Sequence, residues 1–92
     1  MKEDIKRYEE VAEILKALAH PHRLCIVKGL IDNTCNVSKI QDCINLPQST
    51  VSQHLAKLRT AGIIERDRNG TEISYSVRDE KVIKLIELFF EG

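Results

Sequence analysis

The apolar residues of this chain change their spacing twice, and that change constrains the fold more than any other feature. Up to Gly62 they recur every three or four positions, as in helices packed by one face. Over residues 64–77 they alternate, which is the period of strands, and beyond Asp79 the helical spacing returns. One hairpin therefore interrupts an otherwise helical chain of 92 residues. Its turn is expected at Asn69-Gly70, because both residues accept the positive φ of a type I′ turn. Ile64, Arg66 and Arg68 alternate with Glu65 and Asp67 on the first strand. Residues 71–77 return with Ile73, Tyr75 and Val77 on one face.

The helical part divides at its breakers. Residues 3–18 form an amphipathic helix with Ile5, Tyr8, Val11, Ala12, Leu15 and Leu18 at helical spacing. His20-Pro21 ends it, because a residue before proline avoids the helical region, and Pro21 then opens a second helix where its missing N–H costs nothing. That helix carries Leu24, Val27, Leu30 and Ile31. Thr34 or Asn36 caps a short third helix holding Val37, Ile40 and Ile44, closed by Asn45-Leu46-Pro47. A fourth helix starts near Pro47 or Gln48 and runs to Ala61, with Gly62 as its stop and Val51, Leu55 and Leu58 as its apolar stripe. Asp79 caps a last helix bearing Val82, Leu85, Ile86, Phe89 and Phe90. The expected class is mainly α with a β-hairpin wing: a winged helix-turn-helix of five helices, the hairpin lying between the fourth and fifth.

The fourth helix divides its faces in a way that suggests chemistry. If Val51, Leu55 and Leu58 point inward, Gln48, Ser49, Thr50, Ser52, Gln53, His54 and Lys57 lie outside and at the N-terminal end. Hydroxyls, amides and one cation can enter a DNA major groove without filling it; Gln53 can bond adenine bidentately and the hydroxyls can bond base edges or phosphates. The exposed N–H groups of the helix N-terminus suit a phosphate. Arg66 and Arg68, near the hairpin tip, reach the neighbouring backbone or minor groove. An ordinary solvated helix with no partner has the same periodicity, so these residues alone leave that reading open.

Charge bears on the choice. Lysine plus arginine equal aspartate plus glutamate at 14 each, and neutrality counts against a phosphate-rich partner. The distribution softens the objection: residues 20–78 carry eight bases against five acids, while both ends are acidic. Apolar residues make up 42% of the chain and no run approaches a membrane span, which suits a cytoplasmic protein without a membrane partner. The N-terminus lacks the apolar core of a secretory signal.

Two stretches carry a resemblance. KALAHPHRLCIV at residues 16–27 resembles the KALA-x-P-x-RL-x-IL signature of the ArsR/SmtB family of bacterial repressors, and LPQSTVSQHLAKLRTAGII at residues 46–64 resembles its recognition helix and following strand. Residues 66–75 match the family's arginine-bearing wing. The resemblance spans nearly the whole chain. It implies one winged-helix domain over residues 1–92, acting as a homodimer built from terminal helices 3–18 and 79–91. It also implies repression by occupying a palindromic operator in double-stranded DNA, with recognition helices about 34–36 Å apart. The apolar residues of those helices agree, with Tyr8, Leu15, Leu85 and Phe89 as interface candidates.

The family's usual metal sites do not carry over. The thiolate pair on its third helix aligns with Asn36 and Ser38. Of its last-helix zinc site only Asp79 matches, Lys81 stands at the next position, and no histidine follows His54. His20 and His22 flank Pro21 and His54 lies on the recognition helix, so capping or DNA contact is their expected work; no metal and no cofactor is expected. Cys25, Cys35 and Cys43 are the redox candidates. Cys35 and Cys43 stand about 12 Å apart along a helix, against the roughly 7 Å that a disulfide allows. A Cys25–Cys35 pair stays open, although the family's redox sensors use a thiol on the last helix and this chain has none there.

An enzyme is not expected. There is no nucleophile–base–orienter set, the four glycines are dispersed, and Ser52 and His54 are two apart on a helix and face different ways. The competing class is a winged-helix protein-interaction module that has lost DNA binding and modulates another regulator.

Overall fold

The computed structural model describes residues 4–32 and 45–90. Helix α1 (Ile5–Leu18) packs on the other described elements near its C-terminal end: Ala17 and Leu18 are buried and Ile14 half-buried, while Ile5, Tyr8, Val11 and Leu15 stay exposed. Helix α2 (Pro21–Asp32) is capped by His20, whose Nδ1 accepts the His22 N–H at 3.1 Å. Its buried residues are Arg23, Ile26, Val27 and Leu30, a clean i, i+3, i+4, i+7 stripe; Leu24 and Ile31, expected on that stripe, flank it half-buried. The expected short helix with Val37, Ile40 and Ile44 lies outside the described residues. The chain resumes at Asn45, whose φ of 51° is one that asparagine tolerates better than most side chains.

Helix α3 (Gln48–Thr60) ends in a Schellman motif. The Ile63 N–H bonds the Leu58 carbonyl and the Gly62 N–H bonds that of Arg59, both at 3.0 Å, with Gly62 at φ 78°. Leu58 and Ile63 are both fully buried, so the hydrophobic contact typical of the motif belongs to the core here. The motif turns the chain directly into the hairpin of β1 (Ile64–Asn69) and β2 (Glu72–Val77), which pair antiparallel from Ile64↔Val77 to Asn69↔Glu72. The turn differs from the type I′ expectation. The last pair leaves Gly70-Thr71 as the loop, Gly70 alone has positive φ (66°), and Asn69 stays in the strand. Glycine at the first loop position is the preference of a type II′ turn.

Helix α4 (Glu80–Phe90) begins under Asp79, whose Oδ1 accepts the Lys81 N–H at 2.9 Å. Val82 and Ile86 anchor it to a core shared with Leu18, Val27, Leu30, Val51, Leu55, Leu58, Ile63 and Tyr75. Mainly helical with one antiparallel hairpin, the described part is that of a winged helix, with four of the five expected helices inside it. No helix among the described residues is long and apolar enough to cross a membrane.

Candidate nucleic-acid interface

Helix α3 presents a polar face because its apolar residues are spent on the core. Val51, Leu55 and Leu58 are buried; Gln48, Ser49, Ser52, Gln53 and Lys57 are exposed and Thr50 is half-buried. The Pro47 carbonyl takes the N–H groups of Thr50 and Val51, and among the described residues no side chain caps this end. The N–H groups of Gln48 and Ser49 therefore point out of the helix, where its dipole is positive. That end can accept an anion without rearrangement.

Arg66 and Arg68 are exposed on β1 and share one hairpin face, opposite Tyr75 and Ile73. Paired residues of an antiparallel ladder point the same way, so the arginines extend outward the face that Ile64, Tyr75 and Val77 turn inward. On the other face Glu65 is held by Arg78 at 2.6 Å. A groove of about 500 Å³ between α3 and β1 is lined by Ala56, Arg59, Thr60, Ile64, Glu65 and Arg66. Arg59, exposed in it, adds a cation that the sequence reading passed over; its place one turn before the Gly62 stop was the available signal.

His54 is corrected. It was expected on the outer face, and it is buried at 9% exposure. Its spacing explains this: residues 51, 54, 55 and 58 are the four inward positions of two helical turns, and His54 is one of them. Behind it lies Arg23, also buried, whose Nε donates to the Ala17 carbonyl at 2.5 Å and whose Nη1 meets His54 Nδ1 at 3.3 Å. One guanidinium thus joins the end of α1, the start of α2 and the middle of α3. The ring of His54 also stands 4.7 Å from that of His20 and 5.8 Å from that of His22. Partial burial, and then the nearby cationic groups, holds His20 and His54 below the ordinary histidine range.

The other expected residues fall in two places. Tyr8, Leu15 and Phe89 are exposed, as are Ile5, Val11, Leu88 and Phe90, while Leu85 is half-buried. Between α1 and α4 a groove of about 320 Å³ is lined by Val11, Ile14, Leu15, Val82 and Leu85, with Arg7, Glu10, Asp79 and Lys81 at its polar margin. Cys25 is exposed on α2 with its thiol free, and Cys35 and Cys43 lie outside the described residues.

Comparison with known proteins follows the same lines. The model of the family described as bacterial regulatory protein, arsR family, matches residues 20–66. The transcriptional repressor PagR of Bacillus anthracis is 48% identical over 81 residues, covering 87% of this chain and 81% of that protein. The PagR crystal structure superposes with a TM-score of 0.83 at 46% identity, over 91% of this chain and 97% of that one. A homodimeric winged helix-turn-helix DNA-binding domain of Mycobacterium bovis, solved by NMR, gives 0.88 at 29% identity over 97% and 82% of the two chains.

Proposed function

The chain belongs to the arsR family of bacterial regulatory proteins, and from that premise we propose that it is a homodimeric repressor that occupies a palindromic operator in double-stranded DNA. In this reading Gln48, Ser49, Thr50, Ser52, Gln53 and Lys57 enter the major groove, with Gln53 reading a base edge and the uncapped N-terminus of α3 holding a phosphate. Arg66 and Arg68 take the flanking backbone, and Arg59 adds a cation beside them. The dimer forms through α1 and α4, with Tyr8, Leu15, Leu85 and Phe89 in the seam. His54 has no part in reading.

The observation that carries the proposal is the division of α3. Every apolar side chain of its inward stripe is buried, while the polar face and the helix end remain open and Arg66 shares a groove with the C-terminal half of the helix. The relatives support the rest: one is named a repressor and one solved neighbour is a homodimeric DNA-binding domain.

The test is a mobility-shift titration on the DNA upstream of the protein's own gene, with reductant and again with a mild thiol oxidant. A salt-sensitive, sequence-dependent shift is expected. No shift in either state would refute operator binding and leave the protein-interaction module, which the net charge of zero favours. A shift lost on oxidation and restored by reductant would add thiol control, with Cys25 the first thiol to replace; an indifferent shift would make the thiols inert.

A further inference from the structure

We propose that His20, His22 and His54 form a binding site for a divalent transition-metal ion of the zinc type, three imidazoles with a fourth position open to solvent. Each offers one ligand nitrogen, and the three nitrogens lie within 4.8 Å of one another. Two elements supply them: His20 and His22 from the cap and first turn of α2, and His54 from the inner face of α3. Tetrahedral zinc with Zn–N bonds of 2.0–2.1 Å requires nitrogens about 3.4 Å apart. The cluster therefore has to close by about 1.5 Å at most, a movement within reach of ring rotation in the two half-buried histidines.

The donor set selects the metal. Only imidazoles make up the cluster among the described residues, which suits zinc, cobalt, nickel or copper and fails magnesium and calcium, both of which demand oxygen. Burial first, and then neighbouring cations, keeps His20 and His54 below the ordinary range, which favours the neutral ring that a metal requires of its ligand. His54 forms the floor, and the half-buried His20 and His22 leave an entry path.

Binding has a definite structural cost. The Nδ1 atoms of His20 and His54 now accept hydrogen bonds, from the His22 N–H and from Arg23. A neutral imidazole that ligates through Nε2 carries its proton on Nδ1 and can no longer accept there. Metal at His54 Nε2 would therefore set the Nδ1–H against the Arg23 guanidinium, donor against donor, and Arg23 would keep only the Ala17 carbonyl. Arg23 and the metal compete for the same ring. The charges of Arg23 and Lys57 also oppose the ion, so the site favours metals with high intrinsic affinity for imidazole.

The experiment is a cobalt titration of the reduced 92-residue chain followed by visible absorption, with zinc as competitor. His20→Asn keeps a side-chain acceptor for the α2 cap while removing a ligand, and His22→Gln removes another; circular dichroism verifies that both fold. The expected result is the absorption of four-coordinate cobalt, displaced by zinc. Affinity should fall at least about tenfold in each histidine variant and be unchanged in Cys25→Ser. Cobalt binding no tighter than millimolar, or binding that survives in both histidine variants, would overturn the site. No DNA enters the assay, so its outcome is independent of the operator reading.

Discussion

In the proposed dimer, removing one exposed aromatic ring should separate the two protomers without harming either. Phe89 sits on α4 one turn after Ile86, yet Ile86 is 1% exposed and Phe89 is 74% exposed. Burying a phenylalanine completely is worth roughly 1.5–3 kcal/mol, so the open three-quarters of Phe89 leaves about 1.5 kcal/mol for a partner to supply. A twofold interface uses the residue twice, once from each protomer, which makes about 3 kcal/mol in all. At about 1.4 kcal/mol per factor of ten, Phe89→Ala should raise the dimer dissociation constant roughly 100-fold. Sedimentation velocity over a dilution series measures that constant directly. The urea midpoint in the monomeric range should barely move, because an exposed ring contributes little to its own fold. An unchanged dissociation constant would show that α4 lies outside the interface and that the exposed ring serves something else.

Other substitutions separate the remaining roles. Gln53→Ala should relax sequence preference, whereas Arg68→Ala should weaken binding to all sequences alike and reduce the salt slope by about two, one phosphate contact from each protomer, both read from mobility shifts across salt; an untouched operator preference in Gln53→Ala would refute its assignment. Gly62→Ala should cost about 1–2 kcal/mol in urea unfolding, since φ is 78° there and an added Cβ meets no atom within 4 Å, so the penalty is one of backbone conformation alone. Stability should fall on acidification, with a chelator present. His20 and His54 titrate lower in the folded protein than in the unfolded chain, so their contribution is whole above about pH 6.5 and is lost as the pH drops through the folded values. Urea midpoints near pH 7.5 and near pH 5.5 should diverge in the wild type and diverge less in His20→Asn; equal divergence would remove His20 from the linkage.

Among the described residues the elements were legible in the sequence, because two periods and a few breakers suffice to mark them. Gly62 and Asp79 do at their helix ends what their chemistry suggests. Failure came where polarity was taken as a proxy for direction. His54, expected outside, occupies an inward position of a helical stripe, because a titratable side chain reads as outward until its buried partner is known; that partner, Arg23, was given no direction at all. Each is the other's partner, across 31 residues, and periodicity within one helix carries no information about a contact between two. The hairpin turn failed for a more local reason. Asn69-Gly70 and Gly70-Thr71 both offer good turn chemistry, and the choice is made by the pairing register that the core imposes on Ile64, Tyr75 and Val77.

That register has a further consequence. Along β1 cations and acids strictly alternate: Arg66 and Arg68 stand on one side of the ribbon, Glu65 and Asp67 on the other. The strand is close to neutral as a list of residues, and its two sides differ in charge only because the ladder fixes which way each residue faces. A slip of a single residue would exchange the two sides completely. One residue inserted between Ile64 and Glu65 would leave the composition almost unchanged. The outward extension of the core face would then bear carboxylates and repel a polyanion where it now attracts one.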